Sequence, residues 1–323
     1  MGLDLRGTIV KALVTGGAGF IGSNVTRALL SGGTHVVVLD DLSTGFRTNV
    51  PDDVDLIEGD VRDEEILTRA MRGCDVVFHL AASVGNARSI ANPIRDAEVN
   101  CIGTLRVLEA AHHLDVPKVV YSSSAAIFGE LRALPIREDH PAEPDSPYGA
   151  SKLAGEKACL AFAKLYEMDV VCLRYFNVFG ENQRFDAYGN VIPIFVHRML
   201  RAEPLTIYGD GSQTRDFVHV RDVVQANVKA SRALRVAGAY NIGSGMAVTI
   251  NHLATLIAGL SPTAVEIVHA DPRPGDVLHS RADITAAGNA FGYEPAVDLE
   301  TGLGSYVAWV EAERPLAATG GAG

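Results

Sequence analysis

Tyr148 and Lys152 stand four residues apart in "DSPYGASKLAGEK", a stretch with a strong helix start. Ser146 can cap that start, and Pro147 suits the first helical position. The spacing puts a phenol and an ammonium on one helical face. A phenol with pKa near 10 is only about one-thousandth ionised at neutral pH, and a nearby cation favours the ionised form. Upstream, "YSSSAAIFG" places Ser122, Ser123 and Ser124 just past the apolar pair Val119-Val120, followed by Ala125 and Ala126. Hydroxyls end a buried strand there, with no acid, base or metal ligand beside them. An ordinary surface Tyr/Lys pair has the same spacing, so the pair gains weight only from its surroundings.

Those surroundings begin at "VTGGAGFIGS", where Gly16, Gly19 and Gly22 follow a strand and open a helix. Glycines let the backbone turn tightly and approach a pyrophosphate, whose charge then sits at a helix N-terminus. The second strand ends in Asp40, about 18 residues past Gly22, close to the ~20 expected for an acid that binds an adenosine ribose. Asp40 would repel a 2′-phosphate, and Asp41 rather than an arginine follows it, so NAD is expected over NADP. The positive charge of an oxidised nicotinamide would join Lys152 in favouring the phenolate. Lowering the phenol by about three pKa units corresponds to roughly 4 kcal/mol of differential stabilisation and makes Tyr148 a usable general base.

The elements that must position these groups alternate along the first half of the chain. Strands are predicted at 9–16, 35–40, 54–60, 75–82, 118–123 and 169–176, with helices near 20–31, 63–72, 94–114 and 147–167. Strands apolar throughout suit a parallel sheet covered on both faces, and the alternating order is the doubly wound pattern. The fold class is α/β: a doubly wound parallel Rossmann sheet with a smaller, discontinuous α/β substrate domain. Residues 1–176 plus about 217–245 are expected to form the dinucleotide-binding domain. Residues from about 177–216 plus 246–316 are expected to form the second, with 317–323 a frayed tail. "GAYNIGSG" reads as a further strand of the main sheet, "IPIFVHRMLRA" as a helix, and the Gly-Asp-Gly tip at 209–211 as a hairpin.

Together the glycine loop, Asp40, the serines, Tyr148 and Lys152 resemble the short-chain dehydrogenase/reductase superfamily. "GDVRD", "HLAA", "VNCIGT", "RYFNVFG" and "YGDGSQTRDFVHVRDVV" point to its extended, nucleotide-sugar branch. The resemblance implies that Phe20 and Ile21 join the glycine turn at the cofactor, with Asp60 and Val61 bordering the adenine. Leu80, Ala81, Ala82 and Asn100 would line the cofactor groove, with Ser122 and Tyr175 as further contacts. Ser124 would orient a substrate hydroxyl, Tyr148 take its proton, and Lys152 hold the nicotinamide ribose.

Dehydratases of that branch typically carry an Asp-Glu pair or a lone Glu just after the corresponding Ser or Thr, an acid for the departing hydroxide. Ala125 and Ala126 stand there instead, which leaves reversible oxidation and a chain that looks most like the UDP-hexose 4-epimerases. The resemblance then places a UDP-sugar against Asn177, Asn190, Val191, Tyr208 and Phe217. Arg215 and Arg273 would bind its diphosphate through charge-assisted bonds, with Asp276 alongside. Ser280 falls where epimerases restricted to glucose and galactose carry a tyrosine, leaving room for a 2-N-acetyl group. Arg184 falls where UDP-glucuronate epimerases hold a carboxylate, so a uronate stays an alternative. A dehydratase or ketoreductase, and a non-catalytic NAD-binding regulator, are the other classes to separate.

Composition bounds the remaining choices. Of 323 residues, 47% are hydrophobic and 21% charged, enough for a substantial core. A net charge of −11 argues against nucleic acid as partner, and no apolar run reaches the ~20 residues of a membrane span. Cys74, Cys101, Cys159 and Cys172 show no metal or disulfide spacing, with Cys74 and Cys172 expected as buried thiols, and His112-His113 reads as an exposed helix end. No metal site is expected. A cytoplasmic protein is the default, and the long helices at 94–114 and 147–167 suit pairing across a homodimer, as in the resembling family.

Overall fold

A computed structural model describes residues 9–129, 131–185, 189–272 and 278–317. In chain order the first half runs β1 (Lys11–Thr15), α1 (Phe20–Ser31), β2 (His35–Asp40), β3 (Asp55–Glu58), α2 (Glu64–Met71) and β4 (Val76–His79). Next come α3 (Asn86–Ala91), α4 (Pro93–Ala97), a π-helical turn (Glu98–Gly103), α5 (Thr104–His113), β5 (Lys118–Ser124), α6 (Pro147–Tyr166) and β6 (Asp169–Tyr175). The second half holds β7 (Asn177–Phe179), α7 (Val191–Met199), β8 (Leu205–Tyr208), β9 (Thr214–Arg215), β10 (Phe217–His219) and α8 (Val220–Arg232). It closes with β11 (Gly238–Ile242), β12 (Val248–Thr249), α9 (Ile250–Gly259), β13 (Ile267–Ala270), α10 (Thr285–Phe291) and α11 (Leu299–Ala317).

Seven strands form one parallel sheet in the order β11-β6-β5-β4-β1-β2-β3. The period of two sends neighbouring apolar residues to opposite faces. Val14, Val38, Phe78, Val120 and Val171 pack on one side. Leu13, Val37, Val77, Val119 and Cys172 pack on the other. Burial on both faces explains why these strands read as unbroken apolar runs. Strand order reverses between β1 and β4, so a crevice opens at their carboxyl ends, where Thr15 and His79 pair in register. A separate core gathers Phe179, Ile192, Phe195, Ile207, Leu253 and Tyr306 beneath the second half of the chain. Cys74 and Cys172 are buried thiols as expected, and His112 stacks on Tyr166 at 4.0 Å near the end of α5.

Three expectations are corrected. The Gly-Asp-Gly tip does not close a hairpin: β8 pairs with β13, β9 with β12 and β10 with β7. The loop's backbone groups go elsewhere. The Gly209 N–H donates to Ala270 O at 2.8 Å, and Gly211 O accepts the N–H of Asn251 at 3.1 Å. The single helix expected over 94–114 is α4, a π turn and α5. Thr104 Oγ1 donates to the Asn100 carbonyl at 2.7 Å inside that turn, competing with the helical ladder. Finally, α10 was expected with the smaller domain, yet Ala287 and Tyr293 are buried in the core on one face of the main sheet.

Candidate active site

The glycine turn is shaped by close approach. Gly16 has φ +70°, and a Cβ there would lie 2.6 Å from Ala81 N. A Cβ on Gly22 would lie 2.1 Å from Gly16 O, so only glycine lets α1 start against the turn. Gly19 caps α1 with extended backbone and without any side-chain cap bond. The N–H groups of the first helical turn, Phe20 and Ile21 among them, therefore face outward as donors. Among the described residues only Gly16 O, at 3.2 Å, would meet a Cβ on Gly19, so its outer face can take a ligand. This cradle fits a dinucleotide diphosphate.

Asp40 ends β2 beside that turn and is buried. Its Oδ2 accepts the Ala18 N–H and its Oδ1 the Leu42 N–H, each at 2.9 Å. Burial pushes the carboxyl up while these two N–H groups pull it down. Each oxygen keeps lone-pair capacity for a ribose hydroxyl. Asp41 instead turns to its own loop, accepting the Ser43 hydroxyl at 2.6 Å. Asp60 is held by Arg62, whose guanidinium keeps the carboxyl below its ordinary range, and Val61 is buried in the core.

Below the crevice runs a directed chain of hydrogen bonds that the sequence reading missed. The Ala81 N–H donates to Thr15 Oγ1 at 3.2 Å, and Thr15 Oγ1 lies 2.8 Å from His79 Nδ1. His79 Nε2 lies 3.0 Å from Thr104 Oγ1, which donates onward to Asn100 O. Counting hydrogens makes Nδ1 the acceptor and Nε2–H the donor. Burial, reinforced by the Lys152 charge, drives His79 down to about 3, so it is neutral. The signal in the sequence was a histidine closing an otherwise apolar strand. Asn100 itself joins the groove wall to α6, donating to Ser83 O and Ser151 Oγ at 2.9 Å each.

Tyr148 and Lys152 lie on α6, capped as expected by Ser146 through the Gly149 N–H at 3.1 Å. The Ser124 hydroxyl pulls the Tyr148 phenol down, yet burial outweighs it and pushes the phenol up to about 12. The expected acidification rests on Lys152 and an oxidised nicotinamide together, and the protein alone leaves the phenol high. Lys152 sits 4.4 Å from the centroid of the Tyr121 ring, reaches Ser122 Oγ at 3.4 Å, and is pushed down to about 8 by burial. Burial acts oppositely on an acid and a base, leaving both groups neutral more readily.

One helical turn beyond Lys152, Glu156 is fully buried against Arg174, with bonds of 2.9 and 2.8 Å, and accepts Ser123 Oγ at 2.7 Å. This pair locks α6 onto β5 and β6. Its signal was the four-residue step Tyr148, Lys152, Glu156. Gly155 serves the same packing, since a Cβ there would stand 2.4 Å from the Tyr121 hydroxyl. Ser124 also accepts the Ala126 N–H at 3.1 Å, starting a short turn through Ala125 and Ala126. Tyr175 ends β6, and its hydroxyl accepts from Asn227 on α8 at 2.8 Å.

On the second half, Asn177 donates its backbone and side-chain N–H groups to Asp216 O. Arg215, on β9, donates to Thr214 O at 2.9 Å, and the Ser280 N–H donates to Thr214 O at 3.1 Å. Ser280 is buried and Asn190 exposed ahead of α7; Val191 packs against the second core, and Tyr208 ends β8. The Phe217 side chain packs in that core, 5% exposed. Arg184 lies 3.9 Å from the Phe46 ring and 3.4 Å from Glu313, neither of which belongs to the Ser124–Tyr148 group. Arg273 and Asp276 lie outside the described residues.

Comparison with known proteins follows these features. Residues 12–243 match the model of the NAD dependent epimerase/dehydratase family. A UDP-glucose 4-epimerase of Mycolicibacterium smegmatis is 38% identical over 305 residues, 92% of this chain and 97% of that protein. Among solved structures, the UDP-glucose 4-epimerase of Thermotoga maritima with UDP-glucose has TM-score 0.90 and 38% identity, covering 94% of this chain and 100% of that one. The UDP-N-acetylglucosamine 4-epimerase of Methanobrevibacter ruminantium with UDP-N-acetylmuramic acid has TM-score 0.90 and 35% identity, covering 94% and 99%.

Proposed function

Because this chain belongs to the NAD dependent epimerase/dehydratase family, we propose that it is a UDP-sugar 4-epimerase acting on UDP-glucose/UDP-galactose and on the N-acetylated pair. The observation that carries the reading is Tyr148 with Ser124 beside it and Ala125 and Ala126 following, a base and an orienting hydroxyl without an acid for dehydration. Gly16, Gly19, the first turn of α1 and Asp40 would hold NAD, which supplies a hydride acceptor that can later return the hydride. Ser124 orients the 4-hydroxyl, and Tyr148 Oη takes its proton.

A phenol at about 12 is ionised only about once in 10⁵ molecules at pH 7. Tyr148 therefore becomes a base only in the loaded site, where Lys152 and the bound pyridinium charge act together. The resulting 4-ketose must turn before reduction on its other face. Strong binding at the nucleotide with a permissive sugar pocket suits that need, and the small Ser280 supports room for a 2-N-acetyl group. Arg184, engaged by Phe46 and Glu313, supports a hexose over a uronate.

The division into a dinucleotide domain and a discontinuous substrate domain is part of the same reading, supported by the separate core under α7, α9 and α11. So are a homodimer and a cytoplasmic location. Exposed Ile90, Ile94, Ile102 and Leu165, up to 71% accessible on α3, α4, the π turn and α6, support a paired face. No described helix is long and apolar enough to cross a membrane. The test is incubation with UDP-glucose, UDP-GlcNAc and UDP-glucuronate separately, with products resolved by NMR. Epimers without net reduced nicotinamide are expected; stoichiometric reduction of the cofactor would make the protein a dehydrogenase instead.

A further inference from the structure

The segments expected to face the nucleotide-sugar come from distant parts of the chain, and they converge on one residue that no substrate assignment includes. Asp216 lies between Arg215 and Phe217 and is 0% exposed. Its Oδ1 accepts the Ser244 N–H at 2.6 Å and the Ser244 hydroxyl at 2.7 Å. Its Oδ2 accepts the N–H groups of Gly245 at 3.0 Å and Ala282 at 2.9 Å. Its carbonyl takes both N–H groups of Asn177, each at 3.1 Å. Even the residue before this loop is shaped to it, since a Cβ on Gly243 would stand 2.8 Å from Oδ2.

Four donors fill a carboxylate's capacity. No lone pair is left for a ligand, so Asp216 acts only through the groups it holds. Those groups are the start of β7 at Asn177, the loop after β11, and the strand-like run that carries Ser280 two residues before Ala282. The neighbouring β9 and β12 pair over only two residues, Arg215 with Val248 and Thr214 with Thr249, too short to fix Arg215 by ladder bonds alone. Burial opposes the ionised carboxyl while the four donors favour it.

Resting on the nucleotide-sugar reading above, we propose that Asp216 is the positioning residue of the substrate pocket: its carboxylate ties the loop after β11 and the Ser280 segment to the strand end that carries Arg215, in the register that binds the UDP-sugar. Its loss weakens substrate binding without touching the cofactor cradle or the Tyr148 chemistry.

The test is Asp216→Asn, whose amide presents N–H donors to the Gly245 and Ala282 N–H groups. Calorimetry with UDP alone should show affinity reduced about tenfold, with KM raised in step, kcat within about threefold of wild type and NAD affinity unchanged. Should that variant not fold, Ser244→Ala removes a single donor and carries the test, with a UDP loss of about threefold and NAD affinity intact. Unchanged UDP affinity in the folded variant tested, or a loss confined to kcat, overturns the inference. A wild-type protein that binds NAD but no UDP overturns the functional reading, and this inference with it.

Discussion

The cofactor side and the substrate side of this protein are built on different principles. Around Gly16, Asp40 and His79, every element ends a strand of one seven-stranded parallel sheet, so backbone ladders set the geometry. Around Asn177, Arg215 and Ser280, the strands run two to four residues and pair only in twos. There, side chains hold the backbone: Asp216 to four donors, Asn251 to the 210 loop through Asp210 O at 2.8 Å, and Tyr306 to Gln183 O at 2.6 Å. A ladder spreads its load over many bonds, whereas a side-chain knot concentrates it. Away from its close-packed glycines, the dinucleotide side should therefore tolerate substitutions that the sugar pocket does not.

The largest expected effect bears on where chemistry sits. Tyr148→Phe should lower kcat about 10²–10⁴-fold while leaving NAD affinity alone; equal turnover by the variant would remove the catalytic assignment. Next, Glu156→Ala strands the Arg174 charge, which is only 7% exposed. Denaturant unfolding should show a loss of about 3–5 kcal/mol, and a loss below about 1 kcal/mol would mean that ladders, not this pair, seat α6.

On the substrate side, Ser280→Tyr should depress turnover of the N-acetyl sugar about 10–100-fold relative to the plain hexose. Equal ratios in both proteins would dispose of the steric explanation. The smallest effect is a pH slope. His79 is held at about 3 against an ordinary 6.5, so between those values the unfolded chain binds more protons. Stability contributed by neutral His79 is complete above pH 6.5 and is lost on acidification, by at most about 1.4 kcal/mol per pH unit. His79→Gln should flatten that slope, read from melting between pH 7 and 5.

Legibility followed the same divide. The six strands of the first half, the glycine turn, Asp40 and the Ser146 cap were readable because local chemistry specifies each. The alternation of apolar runs with helical spacing sufficed for the sheet. The hairpin expected at 209–211 failed because a Gly-Asp-Gly turn says only that the chain reverses, not which strand receives it. Asp216 and Glu156 were present in stretches already singled out, but a buried acid looks no different in sequence from a solvated one.

By itself, the order of residues determined a parallel α/β sheet, a cradle for a diphosphate, and a tyrosine and lysine on one helical face. Each follows from contacts within about a dozen residues, where propensity and spacing act directly. Only the folded molecule decided the electrostatics. It withdrew Tyr148 and Lys152 from water so that one is pushed up and the other down, and it gathered Ser244, Gly245 and Ala282 around a single carboxylate. Desolvation and long-range hydrogen bonds depend on which distant segments meet, and no local pattern carries that information.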